Sequence, residues 1–262
     1  MDNKVTFYSQ NGEDFILWRF FHKKGIGFYI DVGAFDGVHL SNTYIFEKIG
    51  WKGICIDAHP FYFQKCKENR PGSICIHAAC TGDESVKEVT FHSEELGLLS
   101  GIQMREDIRQ RYEGRGLTFE EFKVVTVPAV TLNCVLRSLK DKPAIDFISI
   151  DVEGHELEIL KGFDIESYRP RILVIEANTE SDEMQLDDYL IRQKGYHKAR
   201  RVVENRFYCR EFEDVRMLGK IKINCDIEIS RHPLGEKYDL PVKKPVHKGF
   251  LEKILEKLKG YQ

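Results

Sequence analysis

Short apolar runs recur along the chain, and each ends on a polar residue. Gly27-Phe28-Tyr29-Ile30 ends at Asp31, Gly53-Ile54-Cys55-Ile56 at Asp57, and Ser73-Ile74-Cys75-Ile76 at His77. Phe147-Ile148-Ser149-Ile150 ends at Asp151 and Ile172-Leu173-Val174-Ile175 at Glu176. Runs of this length, rich in Ile and Val, predict strands covered on both faces. Helical segments are predicted between them. They are residues 41–49 before Gly50, 60–69 with Pro60 in the first turn, 132–139 capped by Thr131, 154–161 before Gly162, and 184–194 before Gly195. This alternation predicts a doubly wound, mostly parallel α/β sheet. Residues 196–203 and 206–211 read as a strand hairpin turning at Glu204-Asn205, which closes the sheet at its C-terminal end.

Two stretches break the rhythm. Residues 92–123 are charged and poorly periodic, and they separate the third core strand from the fourth. An insertion this long is expected to be functional. It carries Arg105, Arg109, Arg111 and Arg115 beside Tyr112 and Phe119. Guanidinium groups bind phosphate or carboxylate bidentately, so Arg105, Arg109, Arg111 and Tyr112 are candidate substrate residues. A solvated helix, with Glu106, Asp107 and Glu113 as partners, is the competing reading. Residues 230–247, with Pro233, Pro241 and Pro245, read as an extended arm. Over 248–259, Phe250, Leu251, Ile254, Leu255 and Leu258 share one face of an amphipathic helix with lysines on the remainder. The expected organisation is one α/β domain over 1–229 and an arm with a helix over 230–262. That helix has three candidate partners: its own domain, a second subunit in a homodimer, or an anionic membrane surface.

Composition narrows the class. The chain has 262 residues, 42% of them hydrophobic, enough for one sizeable core. Its 39 basic and 42 acidic residues give a formal charge of -3, which does not describe a nucleic-acid binder. No apolar run reaches the roughly 18 residues of a membrane span. The polar N-terminus lacks a signal-peptide core. Seven scattered cysteines without a CxxC pair suit a reducing, cytoplasmic compartment.

The strand ends carry the candidate chemistry. Ligands of open α/β sheets bind outside the carboxyl ends of the strands, and four of the five runs end there in a carboxylate. The turn after the first strand, Asp31-Val32-Gly33-Ala34-Phe35-Asp36-Gly37, lacks the GxGxxG phosphate fingerprint. Its two aspartates repel a pyrophosphate and attract an ammonium. S-adenosylmethionine (SAM) has an ammonium and no phosphate. Asp57 is placed to accept hydrogen bonds from ribose hydroxyls. His77, Ala79 and Cys80 follow the third strand, where an adenine edge would lie.

Three ordered motifs carry a resemblance. They are Tyr8-Ser9-Gln10-Asn11-Gly12-Glu13-Asp14, the Asp31–Gly37 turn, and Ile148-Ser149-Ile150-Asp151-Val152-Glu153-Gly154-His155-Glu156. Together they resemble the FkbM family of methyltransferases, over roughly residues 7–178, with Val130-Thr131-Leu132 ahead of the fourth-strand unit. Asp57 stands where that family often has Glu, a shorter carboxylate with the same chemistry. The resemblance implies a class I, Rossmann-like SAM-methyltransferase fold and O-methylation, often of sugar or polyketide hydroxyls. It implies Gln10, Glu13, Asp14, Asp31, Gly33, Asp57 and Asp151 near the cofactor, to which the charge and strand-end arguments add Asp36 and Ala79. Glu13 and Asp14 also suit a helix N-terminus.

A hydroxyl acceptor needs its proton removed or a metal to activate it. His155 or Glu153 is the expected base, with Asp151 and Glu176 orienting substrate or cofactor. These carboxylates and the histidine could hold a divalent ion, but no dense spacing such as HExxH appears, and no metal is expected. The expected partner is a small-molecule acceptor, a sugar or glycoconjugate. A NAD-dependent sugar dehydrogenase and a non-catalytic module retaining the SAM fold are the alternatives.

Overall fold

The strand-forming runs become the centre of a seven-stranded sheet. A computed structural model describes residues 5–97, 100–103, 106–113, 122–224 and 232–234. The elements in chain order begin with α1 (Glu13–Phe21), β1 (Phe28–Val32), α2 (Tyr44–Lys48), β2 (Lys52–Asp57), α3 (Pro60–Asn69), β3 (Ile74–His77) and β4 (Ala79–Cys80). Next come β5 (Glu88–Ser93), α4 (Glu106–Glu113), β6 (Lys123–Val130), α5 (Leu132–Ser138), β7 (Phe147–Ile150), α6 (Glu156–Lys161) and α7 (Ile165–Tyr168). The last are β8 (Ile172–Glu176), α8 (Glu180–Asp187) with a π-helical turn Asp188–Gln193, β9 (His197–Val202), β10 (Asn205–Cys209) and α9 (Phe212–Gly219).

The main sheet has the order β3-β2-β1-β7-β8-β10-β9. β10 runs antiparallel to both of its neighbours, and the pairings from β3 to β8 are parallel. The order reverses at β1, where the chain leaves toward β2 on one side and β7 lies on the other. That is where an open sheet binds its ligand. Side chains alternate between two cores, as the period of two along a strand requires. Ile30, Ile54, Ile148 and Leu173 join the core under α5 and α6, whereas Tyr29, Phe147 and Val174 join the aromatic core under α1 and α2. The expected doubly wound sheet with a C-terminal hairpin is therefore the observed one. A second sheet, β4-β6-β5, flanks the β3 side.

Several boundaries differ from the sequence reading for identifiable reasons. Asp31 lies inside β1 rather than beyond it, because its register partners Cys55 and Ser149 carry the pairing on to Val32. α2 begins three residues later than expected, because the Ser41 hydroxyl accepts from the backbone N–H groups of Thr43 and Tyr44 and builds a turn there. α6 begins at Glu156 because Glu153 and Gly154 both have positive φ, 59° and 106°. The hairpin turns at Val203-Glu204, and Asn205 pairs with Val202 as the first residue of β10. β5, β6 and α9 are elements that the sequence reading did not include. β5 and β6 pair antiparallel, so the ends of 92–123 lie in a strand pair and the stretch between Ser93 and Lys123 is its connection, with α4 inside it.

Within the expected arm, His232 donates from Nε2 to the Leu96 carbonyl at 2.9 Å, and its ring packs 5.5 Å from that of Phe35. The expected helix over 248–259 lies outside the described residues. No helix among the described residues is long and apolar enough to cross a membrane.

Candidate active site

A cleft opens along the carboxyl ends of β1, β2, β7 and β8. Asp31, Asp57, Asp151, Glu153 and Glu176 line it, and among the described residues no Lys or Arg does. Asp151 remains solvent-exposed at the cleft although protein surrounds it, whereas Asp31 and Glu176 are buried in the wall. Carboxylates crowded in a poorly solvated wall resist ionisation. Burial pushes Asp31 and Asp57 up to about 7. Asp151, open to the cleft but ringed by protein, rises to about 6 from lost hydration and from the charges of Asp31 and Glu13. Glu176 rises well above the usual carboxylate range, from burial first and then from the charges of Asp151 and Glu153.

The loop after β1 is internally bonded. Gly33 and Ala34 donate their backbone N–H groups to the Ile56 carbonyl at 2.9 and 3.1 Å. Phe35 N–H donates to Asp57 Oδ2 at 2.7 Å, and Val38 and His39 N–H both donate to Asp36 Oδ1. A dinucleotide fold turns such amides toward a pyrophosphate, and here they have protein acceptors. Gly33 has φ +82°, and a Cβ there would lie 1.7 Å from the Asp151 carbonyl oxygen. The close approach that demands glycine is thus to the β7 end of the sheet.

Each sequence-predicted residue can now be placed. Gln10, Asp31, Gly33, Asp57, Ala79, Asp151, Glu153, His155 and Glu176 all line the cleft. Glu13, Asp14 and Asp36 do not. Glu13 is fully buried, accepting from Asn11 N–H and from Asn205 Nδ2, so it ties the N-terminal segment to the hairpin. Asp14 accepts from Tyr8 N–H, Ser9 Oγ and its neighbour Phe15 N–H, and burial pushes it up to about 7. Asp36 holds its own turn. Arg109 bonds Glu113 at 2.9 Å along α4 and is absent from the cleft lining, the arrangement of a solvated helix. Arg105 and the side chains of Arg111 and Tyr112 lie outside the described residues.

The Asp151–Glu156 turn gathers the expected catalytic groups. Glu153 holds a left-handed backbone conformation that a non-glycine residue adopts at a cost, and such strain is concentrated at functional sites. Glu156 supports the turn, its Oε1 accepting from Val152 and Gly154 N–H at 3.1 and 3.0 Å. His155 is half-buried, and loss of hydration lowers its pKa, so the neutral ring predominates near pH 7. Asp151, Glu153 and Glu176 bring carboxylate oxygens within 4.8 Å of one another. That donor set could hold a hard cation as readily as a shared proton.

Other lining residues carry no local sequence signal. Asn42 donates to Ser149 Oγ at 3.1 Å, and behind the wall the buried Thr43 donates its hydroxyl to Asp31 Oδ2 at 2.5 Å. His59 stands beside Asp57, and its Nδ1 is buried without a hydrogen-bond partner. Pairings between distant segments of this kind become visible only in the fold.

The site fits SAM on its own chemistry. The walls carry carboxyl groups whose ionisation a sulfonium and an ammonium would favour, the loop offers no phosphate cradle, and the unpartnered His59 nitrogen stands next to the ribose-type carboxylate. Comparisons with known proteins address the family. No curated protein matches the chain. In structure, the METTL16 MTase domain aligns with a TM-score of 0.40 at 14% identity, over 76% of this chain and 66% of that chain. A protein described as human methyltransferase 10 domain containing protein aligns with a TM-score of 0.37 at 14% identity, over 76% of this chain and 81% of that one. The profile of the methyltransferase FkbM domain matches residues 31–218, from the Asp31 end of β1 through the hairpin into α9. That span holds the carboxylate-lined cleft and most of the sheet, and the chain belongs to the FkbM methyltransferase family.

Proposed function

We propose that the protein is an O-methyltransferase that takes its methyl group from SAM and places it on a hydroxyl of a sugar or a related small molecule. The observation that carries this reading is the cleft wall itself. It holds carboxylates and a neutral histidine and, among the described residues, no cation to bind an acceptor's phosphate. When bound, SAM supplies an electrophilic methyl group. Asp57 would bind the ribose hydroxyls, and Asp31 the ammonium. Gln10, at the cleft mouth, would contact the amino-acid end. His155 or Glu153 would take the hydroxyl proton from the acceptor, and Glu176, holding its proton against Asp151, would keep that pair from repelling the incoming oxygen. Positioning donor and acceptor within about 3 Å supplies much of the rate.

A divalent cation held by Asp151, Glu153 and Glu176 is a second route to the same deprotonation, favoured by the spacing of their oxygens. The deciding experiment incubates the protein with methyl-labelled SAM and a panel of sugars, nucleotide sugars, small alcohols and amines. Mass increase on a neutral hydroxyl acceptor supports the reading. Transfer confined to amines or phosphorylated acceptors overturns it. Activity abolished by a chelator and restored by one divalent ion selects the metal route.

A further inference from the structure

Three thiols converge away from the cleft. Cys55 lies in the middle of β2, Cys75 is its register partner on β3, and Cys66 lies on α3. Their sulfurs all lie within 4.8 Å of one another, and Cys66 Sγ is 3.9 Å from Cys75 Sγ. Cys55 and Cys66 are buried, and Cys75 is half-buried, which leaves a route in from solvent.

We infer that Cys55, Cys66 and Cys75 form a thiolate site for a soft divalent metal ion, with zinc as its natural occupant. A zinc–thiolate bond of about 2.3 Å at tetrahedral angles sets sulfurs about 3.8 Å apart. The Cys66–Cys75 separation of 3.9 Å is close to that value, and Cys55 Sγ lies within 4.8 Å of both. Three regular elements supply the ligands, so their positions are set before any ion arrives. Thiolate sulfur selects zinc over the hard cations that suit carboxylates. Solvent at the Cys75 side completes the fourth position. A disulfide between Cys66 and Cys75 is the rival use of these groups. It would require the sulfurs to close to about 2.05 Å and would give Cys55 no role.

The location gives the site a purpose. A Cβ on Gly37 would lie 3.1 Å from Cys66 Sγ, so the cluster packs against the underside of the Asp31–Gly37 loop. An ion here would pin α3 to β2 and β3 just behind Asp57, bracing the cofactor wall without touching the reacting atoms.

The test uses the full chain, purified under reducing conditions, stripped with a chelator and desalted. It is then titrated with zinc chloride alone, or with cobalt chloride as a spectroscopic stand-in. The expected result is one tightly bound ion per chain with a thiolate-to-cobalt charge-transfer band. Cys55, Cys66 and Cys75 should be protected together from iodoacetamide in peptide mass spectrometry. Cys75→Ser, checked for folding by circular dichroism, should lose the band, and Cys134→Ser should retain it. Folded wild-type protein that shows neither band nor protection overturns the inference. So does ion binding unchanged in Cys75→Ser, or a Cys66–Cys75 disulfide in a non-reduced digest of the protein as isolated.

Discussion

Asp151 and Glu176, at the ends of the neighbouring strands β7 and β8, bring their carboxyl oxygens within 4.8 Å of each other. Two such groups cannot both ionise cheaply, so Glu176 keeps its proton while Asp151 titrates near 6. Asn178 Nδ2 donates to Glu176 Oε2 at 2.6 Å and helps to hold that carboxyl group in place. Asp151→Asn removes the repulsion. Its ligand-free thermal midpoint should rise by a few degrees while turnover falls at least about 100-fold. A lower midpoint with retained turnover would show that the pair serves the fold and not the chemistry.

The base should reveal itself in turnover and not in cofactor affinity. His155→Ala or Glu153→Gln should lower kcat by roughly 100- to 10,000-fold with the Kd for SAM nearly unchanged. Full activity in both variants would show that neither is the base and would pass the role to Asp151, the ionised member of the Asp151–Glu176 pair.

Asp57 joins two backbone segments, through Phe35 N–H at 2.7 Å and His59 N–H at 2.8 Å. Asp57→Ala should therefore weaken SAM binding by about 1–3 kcal/mol and also lower the melting midpoint without ligand. Asp57→Asn, which keeps a carbonyl acceptor, should recover part of the stability and little of the affinity. Calorimetry and thermal melts on the two variants check the split.

Raised carboxyl pKa values give the pH dependence its sign. Asp31, Asp57 and Asp151 are held above their unfolded values. Their contribution to stability is therefore fully present below about pH 4 and is lost as pH rises through about 6–7. Affinity for a cationic ligand runs the other way, because the ionised carboxylates bind it. Between pH 5 and 8, ligand-free stability set by these groups should fall while SAM affinity rises. SAM affinity that is flat across that range would mean these carboxylates do not hold the ligand.

Arg109 pairs with Glu113 on the exposed face of α4. Exposed i,i+4 pairs contribute little. Arg109→Ala should leave the acceptor KM and the melting midpoint unchanged within error. A several-fold rise in KM would return the arginines of 92–123 to the acceptor site.

The local pattern of the chain determined the sheet. Strands buried on both faces need unbroken apolar runs whatever surrounds them, so β1, β2, β7 and β8 were legible. The edge strand β3, half-buried at most, was legible from a similar run, and the contiguous Ile148–Glu156 segment marked the family. Asp57, Asp151, Glu153, His155 and Glu176 could be singled out because a strand end is a property of one short segment. The roles of Glu13, Asp14 and Asp36 were decided by the fold, since a carboxylate that could face a ligand can equally bond a backbone N–H. Tertiary structure alone brought Thr43 to Asp31, Asn205 to Glu13, and Cys55, Cys66 and Cys75 together. The physical reason is the same throughout. Periodicity specifies which face a residue occupies, whereas its partner is set by strand order and helix packing, which depend on the whole chain.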